Sequence, residues 1–186
     1  MLTEDYIMRM INQALAVLMI ALGFKRTGHY NKALDAFDQA VESLLGLNTH
    51  LANQLDDNLL LNMLTFQEKI DVDRLLVLAE IYHEEAEVYL LQGRLEGNQF
   101  AAQRSLRLYL EAALASEADP NLDLIQKIEL LRLKHASPAL PVETRLALLD
   151  YFERLLASND AFLTAAGLSR SDLQEAYSSL DSLDLY

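Results

Sequence analysis

Residues Arg26–Leu44 read RTGHYNKALDAFDQAVESL, a glycine followed by an aromatic and then by alanine and bulky apolar positions three and four apart. Gly28 breaks whatever precedes it, and a helix from about Tyr30 places Ala33, Leu34, Phe37, Ala40, Val41, Leu44 and Leu45 on one stripe. Lys32, Asp35, Asp38 and Glu42 fall on the other side, as water demands. Working back toward the N-terminus, ALAVLMIALGF (14–24) continues the opening MLTEDYIMRMINQ. The two together predict a helix that starts after Thr3, a capping hydroxyl, has Glu4 and Asp5 at its positive end, and runs to about Phe24. The apolar run is shorter than the roughly 20 residues a bilayer crossing needs, and its flank is acidic where a signal peptide is basic. A buried helix is expected, and with it a helical hairpin hinged at Gly28.

Composition supports that reading along the whole chain. The 186 residues suit one domain that buries roughly 70% of its unfolded surface. With 52% hydrophobic residues and only 6 Gly and 3 Pro, neither disorder nor a loop-rich β fold fits. A formal charge of −13 repels phosphate backbones and anionic lipid, so nucleic acid and membrane are not expected partners. The chain has 0 cysteines, which removes disulfides, thiol catalysis and thiolate metal sites and suits a reducing cytoplasm.

Downstream, residues 47–64 are expected to prolong the second helix to about Gln54 and then form a short one capped by Asp56 or Asp57. The long run VDRLLVLAEIYHEEAEVYLLQ is helical, ends at Gly93, and starts either from a capping box at Thr65–Glu68 or from Asp71 as cap. Turn material at Glu96 and Gly97 precedes a helix from about Asn98 to Ser116. Asp119 followed by Pro120 opens one to about His135, Pro141 opens another to about Ala157, and Ser158 and Ser169 cap two short last helices. No strand is predicted.

The anchors Ile20, Ala21, Phe24, Gly28, Tyr30, Ala33, Phe37 and Ala40 resemble one unit of a tetratricopeptide (TPR) repeat. In that unit small residues let paired helices approach, and bulky ones fill the space to the next pair. A second copy matches Tyr82, Ala86, Tyr89, Gly93, Ala102, Ser105, Tyr109 and Ala112 once about seven extra residues are allowed between its helices. Nothing between Leu47 and Asp71 carries the signature. The resemblance therefore implies an all-α fold of TPR-like antiparallel hairpins with degenerate repeats in a compact right-handed array or bundle. It would be one domain over 1–186, with helix pairs at 1–46 and 71–117 and C-terminal helices over 119–186. The opening DYIMRMI and this layout are also similar to a family of small uncharacterised bacterial TPR-like proteins. The TPR resemblance implies a concave, partner-binding surface, and its positions fall on Leu15, Leu18, Leu22 and Lys25, joined by Arg26 and by a tyrosine stripe, Tyr82 and Tyr89. Two readings of that surface stay open, a groove exposed to a partner or a core covered by later helices. The Lys and Asn pattern that clamps a C-terminal carboxylate is absent, which argues against a chaperone tail.

EIYHEEAE aligns Glu80, His83, Glu84 and Glu87, and Glu80 with His83 has the Glu-x-x-His spacing of di-metal helical bundles. The second such motif that a di-metal centre needs is missing, and a solvated acidic face accounts for the same residues. His29, His50 and His135 are scattered, and His135 suits a helix C-terminus. No nucleophile elbow, Gly-rich phosphate loop or dinucleotide fingerprint occurs. Paired acids such as Asp56 with Asp57 or Asp71 with Asp73 read as helix caps. The chain is thus expected to be a non-enzymatic interaction domain without cofactor. Its partner would be a protein or peptide whose basic segment suits the acidic surface, or a further copy of the chain. The alternatives are a carboxylate-rich helical bundle that binds a metal ion through Glu80 and His83, or a purely structural, self-associating subunit.

Overall fold

The turn at Gly28 is where the fold is set. Gly28 takes φ +75°, a conformation that costs a side chain dearly, and lets the amide of His29 bond to the carbonyl of Phe24 at 2.9 Å. Helix α1 (Leu2–Arg26) thereby folds against α2 (Tyr30–Leu45) as a hairpin. The computed structural model describes residues 2–66, 68–116, 120–135 and 140–182. Among them are ten helices and a single two-stranded β hairpin, so the protein is all-α.

By packing, the chain divides into two compact units, 1–108 and 109–186, with the boundary inside α6 (Leu95–Ala115). In the first unit α1 and α2 both pack on α5 (Val72–Leu91). The predicted stripe of α2 is its buried face, all seven residues included. Ala14, Ala21, Ala33 and Ala40 are fully buried, which is how the helices approach closely, and Phe37, Leu44, Leu60, Leu75, Leu78 and Ile81 fill the layer between them.

Gly46, at φ +68°, ends α2 earlier than expected, and the chain restarts as α3 (Thr49–Gln54) under an Asn48 cap. Asp56 caps α4 (Asp57–Met63), accepting from the Leu59 amide at 2.8 Å. The absence of strand is corrected in a small way: Thr65–Phe66 (β1) pairs antiparallel with Lys69–Ile70 (β2), so Thr65 is strand and Asp71 is the cap of α5. Helix α1 begins at Leu2, ahead of Thr3, which is therefore inside the helix and not its cap.

Glu96 and Gly97 lie inside α6, not in a turn before it. The reason is contact: a Cβ on Gly97 would stand 2.9 Å from Cγ of Tyr89. The Gly97→Ala variant should therefore unfold more easily by about 1–3 kcal/mol, because the ring must give way. In a Tyr89→Ala background the same change should stabilise by up to about 1 kcal/mol, since alanine is the better helix former. Chemical denaturation of the four proteins reads both signs.

The second unit holds the end of α6 with α7 (Leu122–Lys134), α8 (Val142–Ala157), α9 (Asp160–Ala165) and α10 (Arg170–Asp181). Helix α7 is capped by Asn121, whose Oδ1 accepts from the Asp123 amide at 2.7 Å. The expected cap Asp119 lies outside the described residues. Asn159, not Ser158, caps α9, and Ser169 caps α10 as expected. Arg154 of α8 donates to the carbonyls of Ala113 and Leu114 at the end of α6, which would otherwise lack partners. Ile125, Ile128, Leu148, Tyr151, Phe152 and Leu155 form the buried centre of this unit.

Candidate functional site

Helix α1 is apolar on two sides. Ile11, Ala14, Leu18 and Ala21, spaced by three and four, are the buried side. On its outer side Met8, Leu15, Met19 and Ile20 are 51%, 40%, 61% and 56% exposed. By length and hydropathy the stretch Glu4–Arg26 could cross a membrane, and 22% of its most apolar window is buried; core helices, which are mostly buried, and N-terminal signal sequences share that length and hydropathy. The expectation that the apolar run is too short for that held only for residues 14–24; the helix is longer.

The concave set predicted from the repeat resemblance is split by this geometry. Leu15 faces out, whereas Leu18, three residues on, is buried in the core at 4% exposure and offers nothing to a partner. Leu22 is half-buried. Lys25 bridges helices: its Nζ lies 2.5 Å from Glu84 Oε2 and 3.2 Å from Glu87 Oε2, both on α5. Burial lowers the lysine pKa, but the hydrogen bonds and charges of the two glutamates outweigh it and hold the pKa above its ordinary value. Lys25 therefore ties α1 to α5. Arg26 is exposed and donates from Nε to the carbonyl of Leu22 at 3.4 Å.

The tyrosine stripe is corrected too. Tyr82 is fully buried, with its hydroxyl donating to Asn53 Oδ1 at 2.9 Å. Tyr89 is half-buried, lies against Gly97, and has the Arg94 guanidinium 4.4 Å from its ring centroid. Its hydroxyl bonds to Glu85, which is 4% exposed. Burial pushes the Glu85 carboxyl up to about 7; the Tyr89 hydrogen bond opposes this, Asp38 adds to it, and Arg104 and Arg94 draw it down.

Beside this group Arg104, 5% exposed, sends Nη1 to the carbonyl of Ala52 at 3.1 Å and Nη2 to that of Leu55 at 2.5 Å. Its Nε meets Asp57 Oδ1 at 3.0 Å, and the guanidinium lies over the rings of Phe100 and Tyr82 at 4.7 and 5.4 Å. Sequence reading passed over both Glu85 and Arg104. A signal existed: Glu85 continues the stripe Leu75, Leu78, Tyr82, and Arg104 stands in register with Ala101 and Leu108. A charge in line with a buried stripe marks an interior polar group.

Of the acidic face, Glu84 and Glu87 are engaged by Lys25, while Glu80 and His83 are half-buried with interactions of their own. Among the described residues no group of three or more His, Asp or Glu is placed to share a metal ion. A shallow open groove runs between α1 and α2, lined by Val17, Ile20, Phe24, Lys32, Asp35 and Gln39. Comparison with known proteins adds no assignment: no family model, no curated protein and no solved structure matches this chain.

Proposed function

We propose that the chain is a non-enzymatic, TPR-like interaction domain whose docking surface is the outer side of α1. The observation that carries this reading is the exposed apolar row of Met8, Leu15 and Met19 on a helix whose other side is already packed. Apolar side chains aligned on one helix face mark an interaction surface more often than scattered ones do. The alanines buried between α1 and α2 support the repeat-like hairpin, as Ala21 and Ala33 fall at its small-residue positions. A non-enzymatic role is supported by Glu85, whose raised pKa would suit acid–base work but which is shut inside by Tyr89 and beyond the reach of a substrate.

Photo-crosslinking tests the placement. A photoreactive residue at Met19 should give specific protein adducts in the source cell, and the same residue at exposed Lys69 should not. Equal adducts from the two positions, or none from Met19, would remove α1 as the docking surface.

A further inference from the structure

We propose that Glu85 is a proton-operated latch on the short helices α3 and α4: while the carboxyl keeps its proton the segment 49–63 stays seated, and loss of the proton releases that segment from a first unit that otherwise stays packed. Three tethers seat α3: Thr49 Oγ1 donates to the Asp38 carbonyl on α2 at 2.9 Å, the Tyr82 hydroxyl of α5 donates to Asn53 Oδ1 at 2.9 Å, and Arg104 of α6 donates to the carbonyls of Ala52 and Leu55 at 3.1 and 2.5 Å. Arg104 holds α4 as well, through Asp57. With six and seven residues, these helices depend on such contacts to persist.

Glu85 stands where it can act on each of these tethers. Tyr82, Glu85 and Tyr89, spaced by three and four, lie along one side of α5. The Glu85 carboxyl is bonded to the Tyr89 hydroxyl of its own helix and is faced by Asp38 of α2, by Arg104 of α6 and by Arg94 just before α6. Tyr82 lies in the field of both Glu85 and Asp57 of α4. The ion pair of Arg104 is with Asp57, and Lys25, the cation through which α1 meets α5, is bonded to Glu84 and Glu87.

A neutral carboxyl leaves the tethers alone, whereas an ionised one works against them. It repels Asp38, whose carbonyl seats Thr49. It draws on the guanidinium that Ala52, Leu55 and Asp57 share, and it attracts the hydroxyl hydrogen that Tyr82 gives to Asn53. A charge on a residue only 4% exposed also demands water, and the elements with least stability of their own open first to admit it. Burial sets the working range: it outweighs the Tyr89 bond and both arginines, and the carboxyl keeps its proton up to about 7. The seated form binds that proton more tightly than the released form, so it prevails in acid and loses ground as pH rises through neutrality.

Amide hydrogen exchange of the full chain between pH 5 and pH 8, with intrinsic rates divided out, tests this. The Ala52 and Leu60 amides, bonded to the carbonyls of Asn48 and Asp56, should exchange through an opening more frequent than global unfolding, and so faster than amides in the middle of α5. Their protection should fall about thirtyfold from pH 5 to pH 8, and in Glu85→Gln it should not change with pH. Asp38→Asn removes the carboxylate that faces Glu85 and should move the midpoint of the fall to lower pH. The proposal is overturned by protection in 49–63 that is independent of pH, or by a fall that survives in Glu85→Gln. Protection equal to that of α5 at every pH overturns it too, because the segment would then leave only when the whole unit unfolds. Should Glu85→Gln fail to fold, Asp38→Asn decides: an unmoved midpoint rejects the latch.

Discussion

Replacing Arg104 by alanine should lower the stability of the protein by about 3 kcal/mol or more, the largest single-residue effect expected here. Its guanidinium reaches the carbonyls of Ala52 and Leu55 at the end of α3 and the carboxylate of Asp57 in the first turn of α4. Helices of six and seven residues have almost no stability of their own, so one buried side chain joins two elements that would not persist apart. Truncation leaves two carbonyls and a carboxylate without their donor in a region water enters poorly. Arg104→Lys should recover only part of the loss, since a single ammonium cannot reach three acceptors as the fork does. Urea unfolding reads the energy, and amide exchange should quicken over 49–63 before the rest of the first unit. Arg104→Ala within 1 kcal/mol of wild type would mean that these contacts carry no stability.

The second large effect is a pH dependence centred on Glu85. In the unfolded chain this carboxyl titrates near 4.5, in the folded chain near 7. Between those values the folded state holds a proton that the unfolded state has lost, so stability falls as pH rises through the window and levels off above it. The full difference is worth about 3 kcal/mol, of which about 2 kcal/mol disappears between pH 5 and 8. Glu85→Gln keeps an acceptor for the Tyr89 hydroxyl but cannot ionise. Its stability relative to wild type should therefore climb by that amount from pH 5 to pH 8. Parallel wild-type and Glu85→Gln curves across this range would show that Glu85 titrates as an ordinary surface acid.

The helices were legible because their buried stripes repeat at three and four; α2 is the clearest case, since its outer side is polar and only one face can be core. Helix α1 has no such contrast. With apolar residues on both sides, the spacing that aligns Leu15 with Leu18 and Leu22 cannot say which side packs, and the predicted concave set mixed an exposed leucine with a core one. Helix starts failed by one or two residues where two capping side chains stood close together, as at Ser158 and Asn159, because the choice depends on which residue keeps an extended backbone. Poor helix propensity makes Gly97 look like a turn residue, while its actual constraint is the ring of Tyr89, far enough along the chain to be invisible to local rules. Glu85 and Arg104 were missed for a related reason. Charge by itself suggests exposure, whereas their positions in register with apolar neighbours point inward.

The measurement that bears most directly on the outer side of α1 is methionine oxidation footprinting in the source cell against the dilute purified protein. Met8 and Met19 are exposed on that side, and Met63, 37% exposed on α4, serves as the internal reference. The account predicts that Met8 and Met19 oxidise more slowly relative to Met63 in the cell, because a docked chain covers them. Equal relative rates in cell and dilute solution would contradict it, since an interaction surface that is never covered is not one.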